Sequence, residues 1–129
     1  MSPLPKPGAV VFVARVAWIT TFYREVASMT LLHEALDHTV LEVEGFQLVI
    51  HALRGEVNPS PVGDPVPIRR DTYVKVCLPV ASITAARTAA AIHGGAIQAR
   101  DREWESRGFR ACDGHDPEGN VFQVRQDAG

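Results

Sequence analysis

Residues 116–123 read Asp-Pro-Glu-Gly-Asn-Val-Phe-Gln and join a reverse turn to the beginning of a strand. Proline presets the backbone for a turn, glycine adopts positive φ without strain, and aspartate and asparagine bond to the backbone that follows them. The run from Val121 to Arg125 predicts the last strand of the chain. These residues therefore predict a tight turn that leads directly into a terminal strand.

The residues before this turn predict a strand, a helix and two short strands. Ser82 is suited to cap the N-terminus of the helix, and Gly94-Gly95 is suited to end it. The predicted elements are a strand over Thr72–Val80, a helix over Ile83–His93, and strands over Ala96–Ala99, Phe109–Cys112 and Val121–Arg125. The charged stretch Arg100–Arg107 is expected to be an irregular loop that carries Trp104.

The first half of the chain repeats this order of elements. Val16, Ile19, Phe22, Tyr23 and Val26 recur at steps of three and four, which predicts an amphipathic helix. The predicted elements are a strand buried on both faces over Ala9–Ala14, a helix over Arg15–Ala27, and strands over Met29–His33, Thr39–Val43 and Phe46–Leu53.

A proline-rich stretch separates the two halves. Asn58–Pro67 contains four prolines and a glycine, so it cannot continue a helix or a central strand. A repeated order of elements on either side of such a linker indicates a duplicated module. The sequence therefore predicts an α+β fold of two βαβββ modules, with module one over about 8–54, a linker over 55–68 and module two over about 69–126.

The composition is that of a globular protein. Of 129 residues, 46% are hydrophobic and 22% are charged, and the net charge of −2 comes with no basic stripe, which argues against nucleic acid as a partner. No apolar run approaches the length of a membrane span, and the N-terminus lacks the features of a secretion signal. We therefore expect a cytoplasmic protein without a membrane partner, in which Cys77 and Cys112 are reduced.

Two motifs resemble those of the vicinal oxygen chelate superfamily, which includes glyoxalases, bleomycin resistance proteins and extradiol dioxygenases. They are Phe22-Tyr23-Arg24 near the end of the first helix and the turn and strand over 116–123, and Gly94-Gly95 is also in place. The resemblance covers the chain from about Ala9 to Val124. It implies two modules that form a shared cup, and a homodimer. Ala27-Ser28 and Arg15 depart from the family pattern, which usually has Leu-Gly and an aspartate at these places.

The resemblance also implies where a metal would bind. The four ligand positions of metal-dependent members fall on Gly8, His51, Lys75 and Gln123. Glycine has no donor atom, and lysine is protonated near neutral pH. No cofactor is therefore expected at the usual site, and a divalent metal would need His51, Gln123 and further groups.

Strand parity groups side chains by face, and the resemblance implies which of these faces line the cup. Alternate residues of a strand share a face, so Val74, Val76, Leu78, Phe122 and Val124 would pack on the helices. The predicted ligand-binding residues are Gln47, His51, Tyr73, Lys75, Trp104 and Gln123, with His51 and Lys75 as candidate catalytic acid–base groups. Structural roles stay open for each: a hydrogen-bonded His51 or Gln123, a Lys75 amine that reaches solvent, and a Trp104 that packs under its loop or against another subunit. His33, His38, His93 and His115 share no spacing and are expected in surface or turn positions.

Three functions are consistent with these residues. The first is a metal-independent protein that binds a small organic molecule in the cup, as the bleomycin resistance branch does. The second is a lyase, isomerase or dioxygenase-like enzyme with an atypical metal site or an acid–base pair. The third is a dimeric accessory module whose cup is filled by its own side chains.

Overall fold

The computed structural model describes residues 4–53 and 67–129. Two α-helices are α1 (Val16–Ala27) and α2 (Ile83–Ile92). The strands are β1 (Gly8–Val13), β2 (Thr30–Glu34), β3 (His38–Val43), β4 (Phe46–Ala52), β5 (Val76–Pro79), β6 (Ala96–Ile97), β7 (Trp104–Ser106), β8 (Phe109–His115) and β9 (Val121–Asp127). Of the linker predicted over 55–68, residues 55–66 lie outside the described residues. Within the described ranges, neither helix has the length and apolar character needed to cross a membrane.

The strands form two sheets of similar design. The first has the order β1-β4-β3-β2, and the second has the order β5-β9-β8-β6 with β7 paired to β8. In each sheet the first strand runs parallel to the last strand of its half, while the other pairs are antiparallel. One helix belongs to each half, and the predicted α+β fold of two βαβββ units is confirmed, with β6 and β7 together occupying one strand position beside β8 in the second half.

The core lies between the sheets and the two helices, which pack against each other. At its centre, Phe22 and Tyr23 from α1 meet Phe122 from β9. The three rings make edge-on contacts with centroid distances of 5.1, 5.8 and 5.6 Å, a geometry that aromatic pairs prefer. The motif at 22–24 and the motif at 116–123 therefore meet in one contact between the two halves of the chain.

The Asp116 turn forms the polar part of this contact. Asp116 is fully buried, and its carboxylate accepts hydrogen bonds from the Tyr23 hydroxyl (2.9 Å) and from the Asn120 side-chain nitrogen (2.9 Å). It also accepts from the backbone nitrogens of Glu118 (2.9 Å) and Asn120 (3.0 Å), which fixes the turn. Burial raises the pKa of the Asp116 carboxyl group, although each of these hydrogen bonds acts in the opposite direction.

Glu118 supplies the carboxylate that the start of α1 lacks. Arg15 precedes the helix and makes no capping bond with its side chain. The two carboxylate oxygens of Glu118 instead accept from the backbone nitrogens of Ala14 (2.7 Å) and Arg15 (2.8 Å). A negative charge at this end of a helix is favourable because unpaired N–H groups and the helix dipole point there. The start of α1 is thus stabilised by a carboxylate from the second half of the chain.

We expect Glu118→Ala to lower the free energy of unfolding by about 1–2 kcal/mol, the usual cost of losing an N-terminal cap. Urea unfolding followed by circular dichroism measures this change. Glu25→Ala is the matched control, since Glu25 is exposed on the same helix. If both variants lose the same stability, the contact between Glu118 and the start of α1 contributes nothing.

Several predicted elements differ from those in the structure. The strand predicted over Thr72–Val80 begins only at Val76, because Thr72 bonds to the backbone of Val74 and its own backbone nitrogen bonds to the carbonyl of Arg69. The strand predicted over Ala96–Ala99 ends at Ile97, and the one predicted over Phe109–Cys112 continues to His115.

The stretch Arg100–Arg107 is not an irregular loop. A 3-10 turn at Arg100–Arg102 leads into β7, which pairs with β8 through Trp104 and Ala111. Arg107 and Gly108 both have positive φ (46° and 83°), as the two-residue turns of hairpins require. Trp104 is therefore held on an edge strand, where its side chain is 41% exposed.

The first strand is also not buried on both faces. Its inner residue Val13 is fully buried, but Val10 and Phe12 are 51% and 47% exposed. They line a shallow cavity of about 220 Å³ where β1 approaches Thr72, Val74 and Val76.

Candidate functional site

A cavity of about 200 Å³ lies on the open face of the second sheet. Its floor is made by β8 and β9, because Asp113, His115 and Val121 point to the same side of the paired strands. Residues with apolar and with charged side chains line it, among them Ile68, Arg70, Lys75, Gln98, Asp113, His115 and Val121. A concavity with apolar walls and a few convergent polar groups is the usual form of a small-molecule site.

A chain of polar contacts extends from this cavity along the sheet. Lys75 Nζ donates to Asp113 Oδ2 at 2.7 Å, and Gln123 Nε2 donates to Asp113 Oδ1 at 3.3 Å. Arg125 Nε in turn donates to Gln123 Oε1 at 2.7 Å. Asp113 lies opposite Gln123 in the pairing of β8 with β9, so the register of the sheet creates the contact. Each donor in this chain meets an acceptor, and the charges of Lys75 and Asp113 compensate each other.

Further contacts hold these polar side chains in place. The guanidinium of Arg125 lies over the ring of Phe109, 4.5 Å from its centroid. The thiol of Cys77 lies 3.8 Å from Gln123 Oε1. Cys77 and Cys112 are both free thiols, as expected, and burial raises the pKa of Cys112. Arg125 and Asp113 complete the polar cluster with Lys75 and Gln123, and the sequence predicts only the latter two.

The structure places the predicted site residues in different environments. Lys75 and Gln123 are brought together through Asp113. Gln47 and His51 lie on the open face of the first sheet, while Leu48 and Ile50 between them are buried, as strand parity predicted. Tyr73 is fully exposed and precedes β5, so the parity argument does not apply to it or to Val74, which is 75% exposed.

His51 and Lys75 share no hydrogen-bonding partner among the described residues. Lys75 is bound to Asp113. His51 instead directs Nδ1 to the carbonyl oxygen of Ala52 (2.7 Å), and its Nε2 lies 3.7 Å from Asp37. Trp104 lies on β7, and the residues that line the cavity do not include it.

A row of histidines crosses the first sheet. His38 on β3 lies opposite His51 on β4, and their rings are parallel to within 7° with centroids 5.6 Å apart. The ring of His33 on β2 is 5.3 Å from that of His38, and the ring of Phe12 on β1 is 5.5 Å from that of His51. Asp37 bonds to Nδ1 of His38 at 2.7 Å, which lowers the pKa of Asp37. The sequence predicts surface or turn positions for His33 and His38 from their lack of shared spacing, and the sheet brings both into one row with His51.

Comparison with known proteins gives matches to structures but not to sequences. No family model matches the chain, and no curated protein is significantly similar to it in sequence. Solved structures match over almost the full length of this chain. The chain has the glyoxalase/bleomycin resistance fold.

Three of the similar structures indicate the range of this fold. A glyoxalase/bleomycin resistance protein/dioxygenase family enzyme from Burkholderia phytofirmans has a TM-score of 0.66 at 14% identity, and the match covers 93% of this chain and 96% of that one. An integron cassette protein from V. cholerae has a TM-score of 0.63 at 19% identity, with 98% and 97% covered. The fosfomycin resistance protein FosX from Listeria monocytogenes has a TM-score of 0.62 at 15% identity, with 98% and 93% covered.

The glyoxalase/bleomycin resistance fold implies a metal in some of its members, and a mutant of the Listeria protein was crystallised with Mn(II). The four usual positions in this chain do not fit an ion. A Cβ atom at Gly8 would collide with the carbonyl oxygen of Gln47, so no side chain has room there. Lys75 is bound to Asp113, and both ends of the Gln123 amide are engaged by Asp113 and Arg125. Only His51 keeps a free nitrogen, and that nitrogen faces Asp37.

Proposed function

We propose that this chain binds a small organic molecule in the cavity on its second sheet, without an ion at the usual metal positions. The observation that carries the proposal is the Lys75–Asp113 ion pair in a cavity whose walls include Ile68 and Val121. Both charged groups are partly exposed, 35% for the lysine side chain and 25% for the aspartate. A ligand with an apolar body and one polar or anionic group would bury its body against these walls and bond to the lysine.

The charge around the cavity favours an anionic rather than a cationic group. Arg70 and Lys75 both line it, whereas Asp113 is the single carboxylate among its lining residues. Asp113 already accepts hydrogen bonds from Lys75 and Gln123, so its own charge is compensated. Arg70 is exposed and is therefore available for a charge-assisted hydrogen bond to a ligand.

A thermal-shift screen of metabolites and antibiotics tests the proposal, because a molecule that binds only the folded state must raise the melting temperature. For each hit, we expect Lys75→Met to weaken the affinity about ten- to hundredfold, which is what a hydrogen bond to a charged group contributes. Titration calorimetry measures the change.

Lys6→Met is the matched control, since Lys6 is the only other lysine and lies exposed before β1. It should leave the affinity unchanged. Hits that bind equally well to the wild type and to Lys75→Met would place the binding site elsewhere.

The alternative functions receive less support. An acid–base pair of His51 and Lys75 is not part of the proposal, because the two side chains have separate partners. An accessory module with a filled cup is disfavoured by the open cavity on the second sheet. The homodimer and the cytoplasmic location stay predictions from the sequence and its resemblance.

A further inference from the structure

The strand register of the first sheet brings three metal-binding side chains to one end of a hairpin. His38 and His51 are directly opposite each other on β3 and β4. Asp37 comes immediately before β3, and its carbonyl oxygen accepts from the backbone nitrogen of Ala52 at 2.8 Å. The backbone that carries all three side chains is therefore tied together by the sheet and by this additional bond.

One donor atom from each of the three side chains lies within 4.8 Å of the other two. The carboxylate of Asp37 is shared, with Oδ1 at 2.7 Å from Nδ1 of His38 and Oδ2 at 3.7 Å from Nε2 of His51. In a tetrahedral zinc site with bonds of about 2.0–2.1 Å, ligand atoms are about 3.3 Å apart. The two distances that involve Asp37 thus need to change by less than about 1 Å, which rotation of the exposed Asp37 side chain can supply.

His51 is already oriented as a ligand. Its Nδ1 is 2.7 Å from the carbonyl oxygen of Ala52. A carbonyl oxygen can only accept, so Nδ1 carries the proton and Nε2 keeps its lone pair on the side of Asp37. Ligating histidines are usually held in this way, with the other ring nitrogen donating to a backbone carbonyl or a carboxylate.

Packing holds the two histidines in place, but an imidazole binds an ion in the plane of its ring and these rings are parallel, so one ring must rotate for both to reach the same ion. The His51 ring lies between the parallel ring of His38 and the tilted ring of Phe12. The side chains of His38 and His51 are only 29% and 26% exposed. Asp37 is 64% exposed and leaves the site open to solvent on that side.

We propose that Asp37, His38 and His51 form a binding site for Zn²⁺ within module one. Two imidazoles and one carboxylate suit zinc among the common divalent ions, and they leave a fourth position for water or an external ligand. The site differs from the usual one of this fold, because His38 and Asp37 come from β3 and from the residue before it, and no residue of module two takes part. It is independent of the cavity that contains Lys75.

Titration calorimetry of chelator-stripped full-length chain with zinc chloride is the direct test. We expect one ion per chain for the wild type, and a loss of affinity of at least about tenfold for Asp37→Asn and for His38→Gln. Asp37 is exposed, His38 is partly exposed, and Asp37→Asn keeps the shape of the side chain, so circular dichroism should show folded variants. His93→Gln, which alters a histidine at the end of α2, is the matched control and should bind as the wild type does.

Imidazole resonances in NMR spectra give a second measurement that does not depend on affinity. Zinc should shift the ring signals of His38 and His51 in the wild type and leave those of His93 in place. The proposal fails if the wild type does not bind zinc, if Asp37→Asn and His38→Gln bind it as tightly as the wild type, or if the shifted signals belong to other histidines. Each outcome is independent of whether the thermal-shift screen finds a ligand for the cavity.

Discussion

Replacing Asp116 with alanine should destabilise the fold by about 3–5 kcal/mol, because one buried carboxylate serves four donors. Its loss leaves the Tyr23 hydroxyl, the Asn120 amide and the backbone nitrogens of Glu118 and Asn120 without their acceptor. Urea unfolding measures the change. Tyr23→Phe removes one donor and keeps the ring contacts, so it should cost about 1–2 kcal/mol. An alanine variant no less stable than Tyr23→Phe would contradict this account of the turn.

The same carboxylate makes stability depend on pH. Burial raises the pKa of Asp116 above 3.8, its ordinary value, so the folded state holds the proton more tightly than the unfolded chain. The contribution of this group is therefore greatest below its ordinary pKa and is lost as the pH rises through the raised value. Relative to Asp116→Asn, which has no such titration, the wild type should gain stability as the pH is lowered from 7 to 4. If instead the wild type loses stability relative to Asp116→Asn as the pH falls, the hydrogen bonds to the carboxylate have a larger effect on its pKa than its burial has.

Much of the fold is predictable because buried residues recur at a characteristic spacing in each helix and strand. The three- and four-residue spacing of Ile19, Phe22 and Val26 marks the buried face of α1, and all three are buried. The alternation along β4 likewise separates buried Leu48 and Ile50 from half-exposed Gln47 and His51. Such patterns are local, so a single sequence contains them.

The errors arose where local bonds override the pattern. Apolar residues alternate from Thr72 to Val80, but the contacts of Thr72 with Val74 keep the first part out of the sheet. Tyr73 therefore lies before the strand begins, and the prediction that it faces the cup is wrong. For Trp104, the charged stretch around it predicts a loop, but the positive φ of Arg107 and Gly108 forms a hairpin turn and places Trp104 on a strand.

The site residues that were missed depend on pairing between strands. Glu44-Gly45 is a two-residue turn between β3 and β4, and both residues have positive φ. Counting outward from that turn places His38 opposite His51, a relation the sequence contains but linear spacing does not show. The pairing of Asp113 with Gln123 follows in the same way from the turn at 116–120. Cross-strand counting from recognised turns would have found both clusters.

Phe122→Ala should cost about 3–5 kcal/mol of unfolding free energy, because the ring is 1% exposed and packs against both aromatic residues of α1. The cavity left behind would open the contact through which the two modules share a core. Phe12→Ala is the matched control. The Phe12 ring is 47% exposed on the open face of the first sheet, so its removal should lower the free energy of unfolding far less. Urea unfolding of both variants checks the difference.

Phe122→Ala and Phe12→Ala also distinguish the contribution of the core to stability from the contributions of the two proposed sites to binding. Phe122 belongs to neither the lining of the cavity nor the group formed by Asp37, His38 and His51. Under conditions where Phe122→Ala remains folded, it should therefore bind zinc as the wild type does. Phe12 packs on His51, so Phe12→Ala should keep its stability yet bind zinc more weakly, because the His51 ring loses the contact that orients it. If Phe122→Ala were as stable as Phe12→Ala, the aromatic contact between the modules would not be what holds them together.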